Sequence, residues 1–139
     1  MTDTGILLFL YADACICIGA YLHIRRFKKL IGFHLGMNIS TVMGGMIAML
    51  AGVLLILQFP FHFTWVTLVS TLIGLLVGAA FGLLFDYQTF VTGLTNGAIV
   101  GVMAPMIGTV IEMQMLFVWS IHVLFVLLLY YIYISIRRS

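Results

Sequence analysis

Asp13 is the residue in this chain that most clearly needs a chemical explanation. It is the only carboxylate well inside an apolar stretch of the sequence, and a charge at such depth costs about 2.5 to 3.5 kcal/mol on insertion scales. Cys17 and Tyr21, four and eight residues later, lie on the same helix face and form a narrow polar stripe with it. Two interpretations fit this pattern: a site for a proton or another cation, and a protonated Asp13 hydrogen-bonded to a neighbouring helix.

Residues with soft donor atoms are the second group that could carry chemistry. The chain has nine Met, two Cys and four His. Thioether and thiolate sulfur favour Cu(I), and imidazole suits several transition metals, so copper is the cofactor that this composition suggests. A helix rises 1.5 Å per residue, which puts Asp13, Met49, Met103 and His122 about 10 to 14 Å below the same membrane boundary. Methionine is also an adaptable packing residue, and for any single Met packing is the commoner role. The candidate metal ligands are Asp13, Met49, Met103, Met106 and His122 in an outer layer, with Cys17, His34 and Met37 further in.

Other chemistries find little support in the sequence. Cys15 and Cys17 point about 200° apart on a helix, so they cannot form a disulfide with each other and we expect free thiols. The chain has no nucleotide-binding loop, no HExxH or CxxC motif and no Ser/His/Asp arrangement. These absences predict a protein that is not an enzyme.

The composition predicts an all-α integral membrane protein. Of 139 residues, 64% are hydrophobic and only 7% are charged, which leaves too little polar surface to cover a soluble globule. A spanning helix needs about 20 apolar residues, and the chain offers five such stretches joined by short connectors. We therefore predict a single transmembrane domain over residues 1–139, a bundle of five helices at about 5–24, 36–58, 64–85, 89–111 and 115–136.

The basic residues predict the orientation of this bundle. All six Lys and Arg lie in two clusters, at residues 25–29 and 137–138. Five crossings put both clusters on one side of the membrane, and the positive-inside rule makes that side cytoplasmic. We expect a multi-pass plasma-membrane protein with its N-terminus outside and its C-terminus in the cytoplasm. The clusters are a topology signal, so nucleic acid is not an expected partner.

Small residues recur at every fourth position in the three middle segments. Residues four apart share one helix face, so each series leaves a groove in which two backbones can approach closely. This spacing predicts glycine-zipper packing on helices 2–4, with these glycines at the contacts: Gly44, Gly52, Gly74, Gly78, Gly82, Gly93, Gly97 and Gly101. We expect such a protein to form a homo-oligomer or to join a larger complex in the lipid bilayer.

Two functions remain open at this stage. The ionisable and soft residues favour transport or handling of a soft transition-metal cation such as Cu(I). The short chain favours a non-catalytic accessory or assembly subunit that docks other helices through its glycine-rich faces.

Overall fold

The computed structural model describes residues 3–27, 29 and 31–138, and in these residues the chain forms five α-helices. Lys28, which belongs to the first basic cluster, lies outside the described residues. The helices, numbered in chain order, are α1 (Asp3–Arg26), α2 (Phe33–Gln58), α3 (Phe63–Gly82), α4 (Tyr87–Val110) and α5 (Gln114–Arg138). All five are long and apolar enough to cross a membrane, which is the architecture of a multi-pass membrane protein.

The helix ends lie close to the predicted ones, with the largest differences in α2 and α3. α2 begins at Phe33 instead of residue 36, and α3 ends at Gly82 instead of residue 85. Residues 83–85 are Leu, Leu and Phe, so hydropathy alone does not mark the end of α3. The start of α4 has a clear local cause, because a carboxylate oxygen of Asp86 accepts a hydrogen bond from the backbone N–H of Thr89 at 2.8 Å.

α2 is the central helix of the bundle. It is the most buried of the five and packs against each of the other four, while α1 and α5 lie outside the group formed by α2, α3 and α4. Large apolar side chains fill the interior around it, including Ile39, Met43, Leu50, Phe81 and Phe125.

Glycines lie where α2, α3 and α4 approach one another. A Cβ atom added to Gly44 of α2 would be 3.0 Å from the Cα atom of Gly78 and 3.1 Å from the carbonyl oxygen of Gly93. Gly78 and Gly93 oppose each other in the same way, since a Cβ on either would collide with the carbonyl oxygen of the other. Gly74 and Gly97 repeat this reciprocal contact further along α3 and α4. Side chains are excluded at these points because backbone atoms already occupy the space.

Polar side chains in the three middle helices bond to backbone carbonyls of neighbouring helices. The Ser70 hydroxyl donates to the carbonyl of Gly101 at 2.6 Å, and the Asn96 amide donates to that of Thr41 at 2.8 Å. Each bond satisfies a polar group where lipid offers no partner. These contacts explain Asn96 as a packing residue.

Candidate intramembrane acid–base pair

The structure brings the side chains of Asp13 and His122 into contact across the interface between α1 and α5. The Nε2 atom of His122 lies 3.0 Å from Oδ1 and 3.2 Å from Oδ2 of Asp13. Both side chains are largely enclosed, with 8% of the Asp13 side chain and 15% of the His122 side chain exposed. Both residues were predicted to lie in one layer of the bundle, and the contact shows that they lie at the same level along the helices.

A second hydrogen bond determines how many protons the pair can hold. The Nδ1 atom of His122 lies 2.7 Å from the carbonyl oxygen of Val118, one turn earlier in α5. A carbonyl oxygen only accepts, so Nδ1 must carry a hydrogen and donate it. One further proton then lies between Nε2 and the carboxyl group of Asp13, on either the nitrogen or the oxygen. In both forms the pair as a whole is uncharged, which is the arrangement that a low-dielectric interior favours.

Aromatic rings border this pair. The ring of Phe9 lies 4.6 Å from the imidazole of His122, centroid to centroid, and 5.3 Å from the ring of Trp119, which it meets edge to face. Phe9 precedes Asp13 by four residues, and Trp119 precedes His122 by three, so helix geometry places each ring beside its polar neighbour. Helical spacing alone could have identified these two rings, which were not among the predicted site residues.

Cys17 lies one helical turn further along α1 than Asp13. Its side chain is partly buried, and with Tyr21 it lines an open apolar groove of about 230 Å³ between α1 and α3. The polar stripe of α1 thus begins at the pair and continues into a groove. Neither Cys17 nor Cys15 forms a disulfide, in agreement with the free thiols expected from their spacing.

The methionines predicted as outer ligands lie on α2 and α4 and differ in exposure. Met103 and Met106 are exposed on the outer surface of α4, with 51% and 58% of their surfaces accessible. Met49 is partly buried beside the hydrophobic core. Within the part of the chain described here, no group of three or more His, Cys, Asp or Glu residues that could hold a metal ion occurs.

The residues of the predicted inner set lie on α1 and α2. His34 is exposed near the start of α2, where its ring meets that of Phe33 at 5.7 Å. Met37 is partly buried one turn later. Of the eight predicted ligands, Asp13 and His122 are the two whose polar side-chain groups are shown in direct contact.

No protein family, curated protein or solved structure matches this chain. Among the described residues, the contact between an acidic and a basic side chain within 4 Å is the Asp13–His122 pair.

Proposed function

We propose that the protein is a small cation transporter of the membrane and that the Asp13–His122 pair holds the cation. A single observation carries this proposal: a buried carboxyl group lies 3.0 Å from an imidazole nitrogen in the apolar part of the bundle. Intramembrane acids are costly to place and commonly mark ion or proton pathways. Packing alone would be served as well by two apolar residues.

The proton is the cation that suits this pair best. Because Nδ1 of His122 is committed to Val118, the pair offers a cation only Nε2 and the carboxyl oxygens of Asp13. One proton joins the two groups through a hydrogen bond between Nε2 and the carboxyl group. A Cu(I) ion would take sulfur ligands by preference, and two of the predicted sulfur ligands, Met103 and Met106, are exposed on the outer surface of α4.

Proton flux into liposomes tests the proposal. Purified protein is reconstituted with a pH-sensitive dye inside the vesicles, and a pH gradient is applied while potassium and valinomycin hold the membrane potential at zero. We expect wild-type protein to dissipate the gradient, and Asp13→Asn and His122→Gln to reduce the rate to that of protein-free vesicles. Glu112→Gln removes an exposed acid outside the helices and should retain the wild-type rate.

Two results would contradict this function. If wild-type vesicles hold their gradient, or if Asp13→Asn dissipates it as fast as wild type, the pair does not carry protons across the membrane. A Cu(I) titration against a competing chelator, with wild type, Met103→Leu and His122→Ala, then tests the soft-metal alternative. Equal copper affinities, or none, would leave the accessory-subunit function as the better one.

The basic clusters support an orientation with the N-terminus outside and the C-terminus in the cytoplasm. Single cysteines in a chain without Cys15 and Cys17 test it through labelling by a membrane-impermeant thiol reagent in intact cells. We expect Thr4→Cys and His62→Cys to be labelled from outside, and Phe27→Cys and Arg138→Cys only after the membrane is opened. Labelling of positions 27 and 62 from the same side would contradict the five crossings, and a complete reversal would contradict the orientation.

We further propose that the small residues of α2, α3 and α4 act as a glycine zipper that holds the bundle together. Support comes from the reciprocal contacts of Gly78 with Gly93 and of Gly74 with Gly97. Each of these glycines lets the opposing backbone approach without a side chain between them. In this proposal the middle helices form the rigid part against which α1 and α5 pack.

A further inference from the structure

The end of the bundle opposite His62 and Glu112 is formed by the C-terminal ends of α1, α3 and α5. Here the C-terminal ends of α1 and α5 lie side by side, because the ring of His23 is 5.8 Å from that of Tyr133. The connector after α1 and the connector after α3 meet at the same end, where Lys29 and Asp86 line one cavity of about 350 Å³. We call this end of the molecule the basic end, after its described cationic residues: Arg25, Arg26, Lys29, Arg137 and Arg138.

Among the described residues, the positive charges of the basic end exceed the negative ones. All five cationic side chains are exposed, and none of them forms an ion pair with another described residue. Asp86 is the acid that lies at this end in the described part of the chain, and one of its carboxylate oxygens already accepts from the Thr89 N–H. The basic end therefore presents a surplus of positive charge to whatever borders it.

Two of the arginines are held against aromatic rings. The guanidinium carbon of Arg137 lies 5.8 Å from the centre of the Tyr133 ring, and that of Arg26 lies 5.8 Å from the centre of the Phe27 ring. Stacking on a ring orients a guanidinium group and leaves its N–H edge available. That edge matches a phosphate group, which it can bind through two parallel hydrogen bonds.

The position of the basic end relative to the membrane indicates which anions its arginines can bind. Exposed tyrosines on the last turns of α5, Tyr130, Tyr131 and Tyr133, are typical of the membrane–water boundary. The arginines follow within one or two turns, which puts them at the level of the lipid headgroups. Charges at this level meet the phosphates of the bilayer before any soluble anion, and clustered Lys and Arg beside a spanning helix attract anionic lipids.

We propose that the basic end binds the headgroups of anionic phospholipids in the adjoining leaflet. The guanidinium groups of α1 and α5 contact the phosphates, and Lys29 adds charge beside the cavity that it shares with Asp86. Binding joins the ends of α1 and α5, the two helices that lie outside the central group. This role is independent of proton transfer at Asp13 and His122.

Lipid competition in detergent tests the proposal on the whole protein. The protein is mixed with equal amounts of dioleoyl phosphatidylglycerol and dioleoyl phosphatidylcholine, and native mass spectrometry counts the lipids that remain bound. We expect wild type to retain the anionic lipid preferentially. Arg137→Gln with Arg138→Gln should weaken that preference about thirtyfold, since each basic residue near a membrane surface contributes about fivefold.

Three further arms make the result decisive. Arg25→Gln with Arg26→Gln should have a similar effect from α1, so the outcome does not depend on one variant folding, and far-UV circular dichroism verifies helix content for both. Glu112→Gln should leave the preference unchanged. Equal retention of the two lipids by wild type, an unchanged preference in both arginine variants, or displacement of the anionic lipid by inorganic phosphate at equal concentration would each overturn the proposal.

Discussion

Gly78→Ala should lower the thermal stability of the protein strongly, whereas Gly19→Ala should leave it unchanged or raise it slightly. A Cβ at position 78 would collide with the backbone carbonyl of Gly93 and lie 3.1 Å from the backbone nitrogen of Leu94. Backbone atoms cannot swing aside as a flexible side chain can, so α3 and α4 must separate. Overpacking of this kind costs about 1 to 3 kcal/mol, and we expect the upper end of that range.

Gly19 is a matched control within the same bundle. It also lies in the middle of a spanning helix, but an added Cβ there meets no atom within 4 Å. Alanine is the better helix former, by about 0.5 to 1 kcal/mol in a helix interior. The same chemical change thus has opposite expected signs at the two positions.

Heating in detergent followed by size-exclusion chromatography measures both effects as the temperature at which half of the protein remains monodisperse. Gly93→Ala should resemble Gly78→Ala, because the two glycines oppose each other. The double variant should lose less than the sum of the two, since the first substitution already separates the helices. Equal transition temperatures for Gly78→Ala, Gly19→Ala and wild type would show that α3 and α4 do not pack through these glycines.

The helices were predictable because length and apolar composition are properties of the sequence alone. Their ends were less so, as α3 shows: it stops at Gly82 although the next three residues are apolar. The signal that does mark the following turn is Asp86, whose carboxylate caps α4. A capping residue is a more reliable boundary here than a change in hydropathy.

The depth of the candidate site residues along their helices was predictable from the sequence. The direction in which their side chains point was not. Counting residues along each helix placed Asp13 and His122 in one layer, and they are in contact. The same count placed Met103 in that layer, yet its side chain is exposed. Met103 follows Gly101 by two residues and therefore points about 200° away from it around the helix. Because Gly101 faces α3, the glycine spacing itself indicated that Met103 faces outward.

What the sequence could not indicate is the rotation of α1 and α5. Neither helix carries a glycine series that fixes which face turns inward, and both lie at the edge of the bundle. The contact between Asp13 and His122 depends on both rotations at once. Local helical spacing can propose the partners of each residue on its own helix, such as Phe9 and Val118, but not the partner across the interface.

The Asp13–His122 contact predicts that replacing one partner is more harmful than replacing both. Asp13→Leu leaves Nε2 of His122 buried without its partner, and His122→Leu leaves a largely enclosed carboxyl group without one. Removing one member of a buried pair costs about 3 to 5 kcal/mol in soluble proteins, and interhelical bonds in membranes are weaker, so we expect about 2 kcal/mol for each variant.

A double-mutant cycle measures the interaction directly. In the Asp13→Leu, His122→Leu double variant no polar group is left alone, so its transition temperature should lie closer to wild type than that of either single variant. Glu112→Leu, at an exposed site outside the helices, provides the baseline for replacing an acid by leucine. Strictly additive losses would mean that the two residues do not interact in the folded protein. The double variant also separates stability from transport, because it should fold nearly as well as wild type and yet carry no protons across the liposome membrane.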